Sequence, residues 1–308
     1  MNSRKLPHRQ LSAWLAAGLI PTTIQLIAGV SWLSVLLGVI VSLLCVWLRW
    51  SFGAEPRGKF LSFLQWFLLV AVLITACSHA SKSWPGGEHP VVGIILLGLA
   101  LWSVRKGTSA AARVGSVLFW FVLGLYLVLF GAGMKEVQLR NLEPYSGDPD
   151  AFGCVLLLTP AAAAIHLNKK EGLKARLLLI GVFTVVASAL TAGVLSPMVA
   201  MKKENAFYEM TRSLNLLGQA RRFEAVLSAG MTVAWFTLLT LYLSLCEYYG
   251  EATNAGWGKW GSIAAAAAVA LALLCDLHIP GIVLLIFSAI FWVLIPVLAQ
   301  GLGSEKKS

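Results

Sequence analysis

Leu19-Ile20-Pro21-Thr22-Thr23-Ile24-Gln25 and Leu157-Leu158-Thr159-Pro160-Ala161-Ala162 are the two stretches that decide how this 308-residue chain folds. Each interrupts an apolar run near its middle: Leu11–Val30 at Pro21-Thr22-Thr23, and Ala151–Leu167 at Thr159-Pro160. The two prolines are 139 residues apart. Matching interruptions in two halves of a membrane chain point to a transporter-type binding site at the bilayer midplane.

Composition sets the solvent. The chain is 58% hydrophobic and 12% charged, where a soluble domain carries about 25% charged residues. That much apolar surface cannot be hidden from water inside one chain of this size, so a polytopic membrane protein is expected. Ten spans are read: Leu11–Val30, Trp32–Leu48, Phe60–Ala80, Val91–Val104, Val114–Met134, Ala151–Leu167, Leu177–Ala200, Ala225–Cys246, Trp260–Cys275 and Leu277–Leu302. Backbone groups in lipid must be satisfied within the segment, so the spans are helices. The runs are continuously apolar rather than alternating, which excludes a barrel. The first run continues past Pro21 and turns through Gly29-Val30-Ser31 into the second, so it reads as a retained span rather than a cleaved leader.

Charge orients the chain. With the N-terminus inside, the inner loops hold Arg4, Lys5, Arg9, Arg49, Arg57, Lys59, Arg105, Lys106, Arg113, Lys169, Lys170, Lys174, Arg176, Lys259, Lys306 and Lys307, sixteen of the 24 basic residues. The positive-inside rule then places both termini in the cytoplasm. The net charge of +10 follows from that topology and is not a nucleic-acid footprint.

Spans one to five and six to ten form equal halves, repeat 1 over about 9–135 and repeat 2 over about 150–302 of a single transmembrane domain. An odd number of spans per half turns the second half upside down, the inverted-repeat geometry of many secondary transporters. The expected fold is therefore all-α, a 5+5 inverted repeat with discontinuous helices 1 and 6. A proline frees carbonyls and exposes amides at a half-helix end, which can hold a carboxylate or a cation. The expected ligand-binding residues are Pro21, Thr22, Thr23, Gln25, Thr159 and Pro160. No Asp, Glu, Lys or Arg falls inside the spans as drawn; His79, His166, Glu247, Asp276 and His278 sit at their ends. That argues for binding a small zwitterion over proton-coupled pumping.

Other features read as packing. Cys45, Cys77, Cys154, Cys246 and Cys275 show no metal spacing. Ala264 to Ala268 suit close helix contact. Most tryptophans fall near span ends, as an aromatic belt would. Pro197, Pro280 and Pro296 are expected to be kinks. Between spans seven and eight, Phe207, Met210, Leu214 and Leu217 recur at helical spacing. They form either a lid or a connector resting on the bilayer. No nucleophile–base pair, metal cluster or phosphate loop is found, so no enzyme, metal or cofactor is expected.

Several local patterns resemble one family. They are Arg9-Gln10-Leu11 followed by Pro21, Val30-Ser31-Trp32-Leu33-Ser34, and Arg105-Lys106-Gly107 through Arg113. Asn141-Leu142-Glu143-Pro144, Gly153 to Pro160, and Tyr208…Arg212…Gly218…Arg222-Phe223-Glu224 follow in order. Together they resemble the spore-germination permease family, the B subunits of nutrient germinant receptors, within the amino acid–polyamine–organocation superfamily. The resemblance implies a subunit of the inner membrane of an endospore-forming bacterium that binds a small nutrient, often an amino acid. It implies germinant receptor A and C type subunits as partners. An amino-acid transporter of the same fold is the alternative. The chain has only Gly18 before Pro21 in its first span, and Lys135 lies just beyond the fifth.

Overall fold

The computed structural model describes residues 6–27, 31–51, 58–82, 90–143, 151–164, 172–202, 206–214, 220–254 and 257–298. Trp84, Pro144, His166, Leu217 and Gly218, and the cations Arg4, Lys5, Arg57, Lys169, Lys170, Lys203, Lys306 and Lys307, lie outside the described residues. The chain is all-helical, with no strand among the described residues. In order the helices are α1 His8–Ile27, α2 Trp32–Ser51, α3 Lys59–Lys82, α4 Val91–Arg105, α5 Thr108–Glu136, α6 Ala151–Ala163 and α7 Gly172–Leu195. Two short helices follow, α8 Pro197–Lys202 and α9 Ala206–Ser213, then α10 Ala220–Thr253, α11 Gly258–Leu274 and α12 Gly281–Ala289.

Among the described residues six helices are long and apolar enough to cross a membrane: α2, α3, α5, α7 from Leu177, α10 from Ala225, and α12 with its continuation to Leu298. The described parts of α4, α6 and α11 are shorter apolar helices. The outer helices carry their largest apolar groups outward. On α2, Leu37, Val41, Leu44 and Trp47 are exposed, while Val35, Val39, Ser42 and Val46 form the opposite, buried stripe. An apolar exterior of this kind is what a lipid solvent selects, since burying it against protein gains nothing there.

α1 and α6 have no such outer face. Every residue of α1 from Leu11 to Gln25 is buried, as is α6 from Val155 to Ala163. α1 packs on α5, α7 and α10; α6 packs on α12, α2 and α3; and the two pack on each other. The two proline-bearing helices are thus the enclosed axis of the bundle.

Both are continuous, which corrects the expected discontinuity. α1 runs unbroken through Pro21 and α6 through Pro160. The reason is local. Proline removes one amide, and the neighbouring hydroxyls supply donors to the same turn. Thr22 Oγ1 donates to Gly18 O at 2.6 Å and Thr23 Oγ1 to Leu19 O at 2.6 Å. Such bonds reinforce the turn beside Pro21 in an apolar medium.

Two hairpins match in detail. A Cβ added at Gly93 of α4 would lie 2.9 Å from Cys77 O of α3. One added at Gly261 of α11 would lie 2.9 Å from Cys246 O of α10. Each pair of backbones meets where a glycine replaces a side chain. In α11 only Ala265 and Ala266 of the alanine run are buried, so the run packs by one face. Of the other prolines, Pro280 caps α12 and Pro197 opens α8. Pro296 follows a π turn at Ile290–Leu294, where the Ile295 amide reaches back to Ile290 O. α10 continues seven residues beyond the expected Cys246 end, so Glu247 lies within it.

The segment after α7 packs inward. Phe207, Met210 and Leu214 are buried, and the Phe207 ring stacks on Tyr126 of α5 at 5.5 Å. α9 rests on α7, α10, α1 and α5. Its apolar face covers protein, which overturns the connector lying on the bilayer.

Candidate functional site

Pro21, Thr22, Thr23, Gln25, Thr159 and Pro160 are all buried on the central pair α1 and α6. Thr22, Thr23 and Thr159 have no surface that a water molecule can touch. The residues share the axis of the bundle. Their polar ends are taken up by three surrounding helices.

Thr23 Oγ1 lies 3.2 Å from Thr184 Oγ1 of α7. Thr184 also donates to Ile180 O at 2.8 Å, as Thr23 does to Leu19 O. Two hydroxyl protons therefore serve three oxygen pairs. The bridge between helices forms when one hydroxyl releases its own carbonyl, so it is easily broken and remade. Gln25 Oε1 accepts from Trp235 Nε1 of α10 at 2.9 Å. Thr159 Oγ1 pairs with Ser288 Oγ of α12 at 3.1 Å. Thr22 is spent within its own turn. Deeper in the helix, Trp14 Nε1 donates to Thr237 O at 3.2 Å and to Thr240 Oγ1 at 3.3 Å, a second tie between α1 and α10.

Chemically this is a closed polar seam. Thr23, Gln25 and Thr159 are each engaged with a neighbouring helix whose displacement would free them. A cleft of about 660 Å³ opens instead on the flank, between the Arg9 end of α1 and Ser116, Val117 and Trp120 of α5.

Sequence reasoning missed a second polar cluster at the other end of α6. Arg49 was placed in an aqueous inner loop. In the structure α2 extends to Ser51 and Arg49 is 0% exposed. It continues the buried stripe of Val35, Val39, Ser42 and Val46, and that register was the available signal. Trp50 Nε1 donates to Ala161 O at 3.2 Å, and Tyr249 OH to Ala163 O at 3.5 Å. The Tyr249 ring meets Trp292 edge-on at 5.1 Å, and Trp292 sits in the π turn after α12. Gln65 of α3 donates through Nε2 to Phe291 O in the same turn, at 3.1 Å. The buried Gln65 Oε1 and Trp292 Nε1 make no hydrogen bond. α2, α3, α10 and the π turn thus surround the last turn of α6, directly below Pro160. A buried guanidinium in an apolar bundle is costly, which makes this end of α6 a candidate site.

Among the described residues no group of His, Cys, Asp or Glu is arranged to hold a metal ion. His79 and Glu247 are half-buried, and Asp276 and His278 exposed, all four away from the seam. No protein-family model matches this chain, and no curated protein matches it.

Proposed function

We propose that the chain is a ten-span membrane protein built as a 5+5 inverted repeat, which binds a small nutrient at the α1–α6 seam and reports it by helix movement. The repeat pairs α1 with α6, α2 with α7, α3 with α10, α4 with α11 and α5 with α12. Three of its main packing pairs support this exchange: α1 on α5 matches α6 on α12, α1 on α7 matches α6 on α2, and α10 on α4 matches α3 on α11. The Cys77–Gly93 and Cys246–Gly261 crossings are exchanged likewise. Described cations Arg9, Arg49, Arg105, Lys106, Arg113 and Lys259 gather toward one end, through the contacts that join Arg49 to α10 and Lys259 to the α4–α5 turn. That end is the cytoplasmic one by the positive-inside rule.

The observation that carries the functional reading is the seam itself. Pro21 and Pro160 lie on the two enclosed helices, and the hydroxyl and amide groups beside them are held by α7, α10 and α12. A small zwitterion such as an amino acid would replace those partners, and α1 and α6 would shift against their neighbours. α9, stacked over the outer part of the seam, moves with them as a lid. In this reading the chain is a non-enzymatic sensing subunit, similar to the B subunits of spore germinant receptors. A- and C-type subunits receive the signal, and the inner membrane of an endospore-forming bacterium is the setting.

Purified chain in proteoliposomes, challenged with each labelled amino acid, tests this. Saturable binding without uptake, together with co-purification of A- and C-type subunits, is expected. Saturable uptake by the chain alone would replace the receptor with a transporter of the same fold.

A further inference from the structure

A second cleft lies at the cationic end, away from the seam. The turn from α4 into α5 and the start of α11 enclose a cleft of about 410 Å³ lined by Arg105, Lys106, Thr108, Ser109, Glu247 and Lys259. Arg105, Lys106 and Lys259 are exposed, and none is in an ion pair with a described residue. Three cations line the cleft with the Glu247 carboxylate, and the Glu251 carboxylate lies against Gly258 beside Lys259, so positive charge remains in excess. Such a concentration is unfavourable in water unless an anion is near.

The surroundings give the depth. Trp102 precedes Arg105 by one turn of α4 and is 65% exposed; Trp260 follows Lys259 and is 66% exposed. Lys106 Nζ lies 5.5 Å from the Trp102 ring centre, folded back along the helix. Two outward indoles flanking a basic cleft are what the interfacial zone of a bilayer selects: rings at headgroup level and cations just beyond. The first turn of α5 adds its positive dipole end, with no side chain capping it.

From this cleft we infer a binding site for the headgroup of an anionic phospholipid of the inner leaflet. The phosphodiester is held by Arg105, Lys106 and Lys259, and the headgroup hydroxyls donate to Glu247. The acyl chains descend past Trp102 and Trp260. Basic pockets between spans on the cytoplasmic side take phospholipid headgroups in this way. The lipid would tie the α4–α5 turn to α11, across the boundary between the two halves.

The test uses the full chain in detergent and native mass spectrometry. Phosphatidylglycerol, phosphatidylcholine and inorganic phosphate are compared on the wild type, on Arg105→Gln/Lys106→Gln/Lys259→Gln, and on Lys135→Gln/Lys202→Gln at the opposite end. Each basic group near an anionic headgroup contributes roughly fivefold, so the triple variant should lose about 100-fold in phosphatidylglycerol affinity. The distal pair should keep it. Equal binding of phosphatidylglycerol and phosphatidylcholine overturns the site, as does retention by the triple variant. Competition by inorganic phosphate at equal concentration overturns the lipid as its occupant. All three cations are exposed, so the variants keep the fold, and a thermal melt of each confirms it.

Discussion

Loosening the partners of the seam, while leaving α1 and α6 untouched, should tighten ligand binding. Thr184→Val, Ser288→Ala and Trp235→Phe remove the groups that hold Thr23, Thr159 and Gln25. Each substitution nearly conserves shape and spares every expected ligand-contacting residue. Hydrogen bonds between helices in a membrane average about 0.6 kcal/mol. Opening the seam breaks three of them, a bias of about 1.8 kcal/mol toward the closed state and roughly 20-fold in population at about 1.4 kcal/mol per decade. The apparent dissociation constant is the intrinsic one divided by the fraction of open molecules, so affinity is recovered when the closed state is weakened. The triple variant should therefore bind the same amino acid about 20-fold more tightly, and each single variant about threefold. Equilibrium binding of labelled amino acid to purified chain reads this directly. Thr159→Val, by contrast, removes a proposed contact and should weaken binding. The reasoning fails if the triple variant stays folded and its affinity is unchanged or lower. A closed seam that does not compete with ligand is not the binding site.

Three further outcomes follow from packing. Gly261→Ala and Gly93→Ala place a methyl 2.9 Å from a backbone carbonyl, so each should cost about 1–3 kcal/mol in detergent thermal stability. Gly98→Ala and Gly124→Ala meet nothing within 4 Å and should be neutral or stabilising by about 0.5–1 kcal/mol. Equal melts for the two groups would remove the matched hairpins as an argument for the repeat. Trp292→Ala empties a wholly buried indole site against Tyr249 and should cost about 3–5 kcal/mol in the same melt. Phe207→Ala should detach α9 from Tyr126 and speed labelling of a Gln25→Cys reporter by an outside, membrane-impermeant maleimide. An unchanged labelling rate would show that α9 is not a lid.

The sequence carried the elements because the bilayer makes them redundant. Every apolar run long enough to span must close its own hydrogen bonds, so hydropathy alone marks the helices. Proline position then singled out α1 and α6, and the structure encloses both. The state of those helices was not legible. Whether a proline unwinds a turn depends on where nearby hydroxyls send their protons. Thr22 and Thr23 could face a ligand or bond back to Gly18 and Leu19 with the same residues in the same order. Partners 129 to 210 residues away, Ser288, Thr184 and Trp235, leave no local trace at all. Arg49 shows the opposite case. Its register on the stripe from Val35 to Val46 was readable, yet charge at the end of a span is ordinarily taken for solvated loop. A stripe read to its last turn places that guanidinium under α6. The seam above Pro160 and the cluster below it then bear on one helix from both ends. Release of Thr159 from Ser288 can reach the Arg49 end of the bundle without any chain of intermediaries, because α6 is itself the connection.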